Sequence, residues 1–131
     1  MRVTGIDHLV LTVASIEAAV DFYSRVLGME VITFGQGRTA LRLGGQKINI
    51  HAARAPIAPH ADRPVPGSAD LCLVAVGGID AAAAHLAACG VPVELGPVER
   101  AGARGSVRSL YVRDPDRNLV ELAFYDGAGE A

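Results

Sequence analysis

The sequence contains no tryptophan, only two cysteines and few aromatic residues, which make up 5% of its 131 residues. This low aromatic content argues against a base-stacking surface for single-stranded nucleic acid. The net charge is −2, so no basic excess exists that would attract the chain to nucleic acid or to an acidic membrane surface. No apolar run approaches the roughly 18 residues that a membrane-spanning helix requires. These absences favour a small globular protein with neither nucleic-acid nor membrane partners.

Two further absences concern the compartment in which the protein works. The N-terminal residues do not show the order of basic segment, apolar segment and small-residue cleavage site that marks a signal peptide. Cys72 and Cys89 are too few to form a disulfide framework for a chain of this length. We therefore expect two free thiols in a reducing cytoplasm, with a single disulfide bond as the alternative.

The sequence has enough apolar residues to bury a core, and it shows an internal repeat. Hydrophobic residues make up 50% of the chain, and the mean hydropathy is +0.30. The pattern β-α-β-β-β occurs twice, and its two copies are offset by the 62 positions between His8 and Asp70. Since a copy of about 60 residues would bury its sheet poorly alone, we expect one domain over residues 1–131. Module one covers about residues 5–51, a proline-containing linker 52–68, and module two about residues 69–125.

Local signals place one helix in each module. Ser15 is a candidate N-cap for a helix over residues 16–27, and Gly28 is positioned to end that helix in a left-handed conformation. Asp80 is a candidate cap for the second helix, which is predicted to run to Cys89.

The second half of module two is predicted from its turn and breaker residues. Residues 91–94 are expected to form a short strand, and residues 96–106 a loop rich in glycine and arginine. Residues 114–118 have the composition of a turn, which leads into the last strand.

Polar side chains share one parity in four predicted strands, opposite the apolar residues that would pack against the helices. They are His8 in the first strand, Asn49 and His51 in the fourth, Asp70 in the fifth and Glu121 in the last. Imidazole and carboxylate groups suit a divalent cation, and either a cation or an arginine would offset the cost of burying the charge of Glu121. The structural alternatives are a neutral strand histidine at His8, a backbone-capping Asp70 and a solvent-facing His51.

Two segments resemble the vicinal oxygen chelate superfamily, which includes glyoxalase I, extradiol dioxygenases, fosfomycin-resistance enzymes and bleomycin-binding proteins. They are IDHLVLTVASIEAAVDFYSRVLGMEV at residues 6–31 and LYVRDPDRNLVELAFY at residues 110–125. The resemblance extends from about Gly5 to Tyr125, and is strongest to the glyoxalase-domain-containing-5 and bacterial virulence-protein group. It implies an α+β fold in which two βαβββ modules form a cupped mixed sheet around a central cleft.

The resemblance also implies a metal centre and its ligands. The ligand of the first strand falls on His8, that of the last strand on Glu121, and that of the fifth strand on Asp70, where the family often has histidine. The fourth-strand ligand falls on Asn49, or on His51 if the register differs by two residues. The metal would be Zn, Ni, Mn or Fe. Family members commonly pair, so the resemblance also implies a homodimer.

The function implied is catalysis on a small molecule that binds the metal through two adjacent oxygen atoms. The reaction would be of the glyoxalase-like lyase or isomerase type, with Glu121 as catalytic proton shuttle, or of the extradiol dioxygenase type. Asn49 is expected to hydrogen-bond the substrate, and Arg104, in the predicted glycine-rich loop, to bind a substrate anion. The alternative is a metal-free protein that binds or sequesters a small molecule such as an antibiotic.

Overall fold

The same order of strands and helices occurs twice in the computed structural model, which describes residues 1–125. Module one contains β1 (His8–Val13), α1 (Ile16–Asp21), β2 (Glu30–Phe34), β3 (Arg38–Leu43) and β4 (Gln46–Ala52). Module two contains β5 (Asp70–Val74), α2 (Ile79–Ala88), β6 (Leu95–Gly102), β7 (Gly105–Arg113) and β8 (Leu119–Tyr125). The chain divides into two compact units between Ser68 and Ala69.

Each module forms its own four-stranded mixed sheet. The strand order is β1-β4-β3-β2 in the first sheet and β5-β8-β7-β6 in the second. In both sheets the first and last strands of the module are parallel, whereas the remaining neighbours are antiparallel. The predicted α+β fold with two βαβββ modules is confirmed.

The strand register identifies equivalent positions in the two modules. β1 begins at His8 and β5 at Asp70, as the repeat predicts. The third residue of β1, Val10, pairs with Asn49, and the third residue of β5, Cys72, pairs with Glu121. Asn49, and not His51, is therefore the counterpart of Glu121.

The first helix begins as predicted but changes its geometry before it ends. The Ser15 hydroxyl accepts a hydrogen bond from the Ala18 N–H at 3.1 Å, which caps α1. A π-helical segment, Phe22–Val26, follows α1, and Gly28 then adopts the left-handed φ of 77°. Within residues 1–125, neither helix is long and apolar enough to span a membrane.

The predicted cap of the second helix is wrong. α2 begins two residues earlier than expected, with Gly78 at the N-cap position and no side-chain cap hydrogen bond. Asp80 instead lies in the first turn, where a negative charge interacts favourably with the positive end of the helix dipole.

The predicted loop at residues 96–106 and the strand at 91–94 are also wrong. Residues 91–94 lie outside the strands, and β6 and β7 form a long hairpin across most of the predicted loop. Glycine and arginine disfavour strand prediction, but cross-strand pairing overrides that preference here. Gly102 serves the close packing of this hairpin, because a Cβ atom there would lie 2.5 Å from the Tyr125 hydroxyl and 2.9 Å from the Gly105 carbonyl oxygen.

The predicted turn before the last strand is confirmed, and it is built around a buried carboxylate. Asp114 is 3% exposed and accepts hydrogen bonds from the N–H groups of Asp116 and Asn118, both at 2.9 Å. Its second oxygen accepts from the side-chain amide of Asn118 at 2.8 Å. The amide oxygen of Asn118 in turn accepts from the Ala69 N–H at 2.8 Å, which ties the turn to the entry of β5.

We predict that Asp114→Ala lowers the free energy of unfolding by about 2–4 kcal/mol, because it leaves buried donors of the turn without an acceptor. Urea denaturation of the full chain measures this change. Asp62→Ala, which removes an exposed carboxylate, is the control and should change stability by less than about 0.5 kcal/mol. Equal stability of the Asp114→Ala variant and the control would contradict the assigned role.

Candidate functional site

One side of the first sheet carries most of the polar residues predicted in module one. We call this side the module-one face, and the strand register assigns to it Glu30, Ile32, Phe34, Arg38, Ala40, Arg42, Lys47, Asn49, His51, His8, Val10 and Thr12. Asn49 and His51 are buried, with 5% and 6% of their surface exposed. His8 is exposed at one end of the face, and its Nδ1 lies 2.8 Å from an Asp7 carboxylate oxygen.

His51 is bound to an arginine of the neighbouring strand. An Arg38 guanidinium N–H lies 3.2 Å from His51 Nε2, which must accept because an arginine only donates. Burial lowers the pKa of His51, and the positive charges of Arg38 and His60 lower it further. The imidazole is therefore neutral at pH 7, and the lone pair that a metal would need at Nε2 is engaged by Arg38.

One side of the second sheet is organised around Glu121. This module-two face includes Asp70, Cys72, Ser109, Tyr111, Glu121, Ala123 and Tyr125. Ser109 is fully buried, and its hydroxyl donates to Glu121 Oε2 at 2.6 Å. This short hydrogen bond holds the half-buried carboxylate in one orientation.

Cys72 lies beside Glu121 on the paired strand. Loss of water around the sulfur raises the pKa of the Cys72 thiol to about 11, and the charge and hydrogen bond of Glu121 add to this increase. The thiol is thus protonated at neutral pH and donates to the carboxylate. The sequence placed Cys72 on this face by parity, but gave no indication of its contact with Glu121.

Two tyrosines hold the arginines of the β6–β7 hairpin. The Tyr111 hydroxyl accepts from Arg100 Nε at 3.0 Å, and the Tyr125 hydroxyl accepts from the backbone N–H of Arg104 at 3.0 Å. The Arg104 guanidinium carbon also lies 4.3 Å from the centre of the Tyr125 ring. Arg104 therefore belongs to a tight turn packed on an aromatic ring, and not to the open loop that was expected. Tyr125 shares the parity of Glu121 on β8, which was its sequence signal, whereas Tyr111 faces the same side through the β7–β8 register.

The predicted metal ligands are divided between the two modules. His8 and His51 lie in module one, whereas Asp70 and Glu121 lie in module two. Asp70 is exposed at the start of β5, where its negative charge contributes, after that of Glu94, to a raised pKa of Arg113. Throughout residues 1–125, no three His, Cys, Asp or Glu side chains come together in a group that could hold a metal ion. The assignment of these residues as ligands therefore rests on the family resemblance.

The family is shown by comparison with known proteins. The sequence profile of the Glyoxalase/Bleomycin resistance protein/Dioxygenase superfamily matches residues 5–122. The chain belongs to this superfamily. Among the relatives of this superfamily member, the virulence protein STM3117 of Salmonella typhimurium is 46% identical over 125 residues, which are 95% of this chain and 87% of the relative. The glyoxalase domain-containing protein RDO1 of Mycosarcoma maydis is 49% identical over 128 residues, covering 98% of this chain and 72% of the relative.

A solved structure extends the similarity to three dimensions. An integron cassette protein from the mobile metagenome of V. cholerae superimposes with a TM-score of 0.94 and 45% sequence identity. The similar region covers 96% of this chain and 98% of the cassette protein. The family resemblance predicted from residues 6–31 and 110–125 is thus confirmed.

We predict that Cys72 is alkylated about 100-fold more slowly at pH 8 than a thiol with a pKa near 9, because only its thiolate reacts. Iodoacetamide labelling from pH 7 to 11.5, in a Cys89→Ser background, measures the titration. Removing the charge with Glu121→Gln should shift the profile to lower pH.

Asp70→Asn is the matched control, since Asp70 lies two positions from Cys72 on the same strand and face. It should leave the labelling profile unchanged. An unshifted profile in Glu121→Gln would show that Glu121 does not act on the thiol.

Proposed function

We propose that this chain is a small-molecule enzyme of the glyoxalase or dioxygenase type in which Glu121 is the catalytic proton-transfer group. Members of the superfamily bind small molecules, which agrees with the absence of basic and membrane-spanning features in the sequence. The observation that carries the proposal is the 2.6 Å hydrogen bond from buried Ser109 to Glu121. It holds the carboxylate in one orientation.

The surroundings of Glu121 suit the transfer of a proton at a carbon next to a carbonyl group. The carboxylate, whose oxygens carry more lone pairs than Ser109 and Cys72 use, would accept the proton from that carbon and return it to a neighbouring atom of the same substrate. Ser109 would hold the carboxylate in place during both transfers, and the neutral Cys72 thiol adds no negative charge beside it. Ala123, which is buried next to Ser109 in the register, keeps this part of the face apolar.

The assignment of a divalent metal to His8, Asp70, Glu121 and His51 stays a prediction. Superfamily members commonly use divalent metals, and Zn, Ni, Mn and Fe are the candidates here. His8 has the carboxylate partner at Nδ1 that ligating histidines usually have, whereas His51 is already bound to Arg38. Because no three donors meet within residues 1–125, we derive no catalytic step through a metal.

A metal-free binding protein is the second candidate, and one observation favours it. Polar groups within each module already engage neighbouring side chains, as Arg38 with His51 and Ser109 with Glu121 illustrate. Such groups would hydrogen-bond a ligand that the protein holds without transforming it. We include a homodimer in either proposal, since many superfamily members form dimers.

We predict that Glu121→Gln lowers kcat about 100-fold or more, because the amide cannot accept the transferred proton. The probes are the hemithioacetal of methylglyoxal with glutathione, for isomerisation, and catechol, for ring cleavage. Glu17→Gln, on the exposed side of α1, is the control and should keep the activity of the unchanged protein. Turnover of neither probe, or equal turnover by both variants, would favour the binding protein.

Elemental analysis of protein purified without chelators tests the metal assignment separately. If the assignment holds, the unchanged protein contains near-stoichiometric metal, and the double variant His8→Ala, Glu121→Ala loses it. The double variant His60→Ala, Glu17→Ala changes the same residue types at exposed positions and should retain the metal. Activity without any metal would refute the assignment while leaving the role of Glu121 intact.

A further inference from the structure

The module-one face carries two cations that lack carboxylate partners within residues 1–125. Arg38 and Lys47 form no ion pair in this part of the chain, although Arg42 on the same face pairs with Glu30 at 3.1 Å. Both are half-buried, so their charges have lost part of their hydration. An anion from outside the chain would stabilise partly desolvated cations that have no protein counter-charge.

The two cations converge on one aromatic ring. The Lys47 ammonium nitrogen lies 3.8 Å and the Arg38 guanidinium carbon 4.9 Å from the centre of the Phe34 ring. Attraction to the ring draws both positive groups to the same place on the sheet. The hydrogen bond to neutral His51 fixes the guanidinium from another side without neutralising its charge.

Two buried polar atoms on this face have no hydrogen-bond partner in residues 1–125. They are Arg38 Nε, a donor, and Asn49 Oδ1, an acceptor. A buried polar atom without a partner costs about 1–3 kcal/mol, so such atoms commonly mark a place that a ligand completes. Asn49 is 5% exposed, which means that its acceptor is held inside the fold and not in bulk water.

We propose that Arg38 and Lys47 form an oxyanion subsite on the module-one face, which takes the carboxylate, phosphate or phosphonate group of a small organic ligand. The guanidinium would donate from Nε and a terminal nitrogen to two oxygens of the anion, and the ammonium would add a second positive charge. Asn49 would accept a hydrogen bond from an O–H or N–H group of the same ligand. That this ligand is a substrate rests on the proposed function, whereas the subsite itself does not depend on that function.

The test follows the side-chain N–H signals of arginines, and the side-chain amide signals of Asn49 in the variants that lack Arg38, in two-dimensional NMR spectra of the full chain. Inorganic phosphate, acetate and methylphosphonate are added in separate titrations, which distinguish the three sources of an oxyanion. We expect at least one of them to shift the Arg38 Nε–H signal saturably. Arg38→Gln should weaken that binding about tenfold or more, and Lys47→Gln about threefold.

Arg42→Gln is the matched control, because Arg42 lies on the same strand and face as Arg38 but already has a carboxylate partner. It should bind the anion with unchanged affinity. Arg104→Gln tests the rival location in module two. Binding that is lost in Arg104→Gln but kept in Arg38→Gln, or shifts that never saturate with any of the three anions, would overturn the proposal.

His51 is assigned as a positioning residue that acts through Arg38. His51→Leu removes the acceptor and should weaken anion binding about fivefold, whereas His51→Gln keeps an acceptor and should restore most of the affinity. Circular dichroism identifies variants that fail to fold. If Arg38→Gln fails to fold, Arg38→Lys, which keeps the positive charge, takes its place in the binding measurement. Anion binding is measured on the unchanged protein and turnover on Glu121→Gln, so a failure of the subsite and a failure of the proposed catalytic role give different results.

Discussion

The parallel pairing of the first and last strands in each module determines which side chains can act together. A slip of one residue between β5 and β8 would turn Glu121 to the opposite side of the sheet, away from Ser109 and Cys72. The same slip between β1 and β4 would remove Asn49 from the module-one face. The helix in the connection makes such parallel pairing possible, since parallel strands require a long crossover. The chemistry of both faces therefore depends on the backbone register of the strands that carry it.

The two modules share this strand arrangement but differ in the charges of the side chains on it. Module one places an amide at the position where module two has a carboxylate, and surrounds it with Arg38, Lys47 and a neutral imidazole. Module two surrounds Glu121 with hydroxyl and thiol donors. A repeat with identical charges in both copies would have two equivalent sites. This chain instead carries cations around the amide of module one and uncharged donors around the carboxylate of module two.

Much of the fold was predictable because its signals are local. Alternating polarity identified β1, β4 and β8, and the glycines after each helix marked where each module turns. The β6–β7 hairpin was not predictable, because its glycines and arginines become strand residues only through pairing across the sheet. Parity placed Asn49, His51 and Glu121 on the expected faces, but it could not choose between Asn49 and His51, which differ by two positions. Arg38 had no sequence signal, since its role arises from a neighbour on another strand.

Asn118 and Ala53 form hydrogen bonds at the two places where the connecting segment meets the modules. Asn118 and Leu119 bind the backbone of Ala69, and the Ala53 N–H binds the Val13 carbonyl at 2.9 Å. The strand pairing of each module is thus completed by residues of that module, next to the end of the connecting segment. The segment 54–68 is mostly exposed, and the hydrogen bonds described for it reach no residue beyond Ala52 or Ser68. A cut within this segment would therefore break no strand pairing in either module.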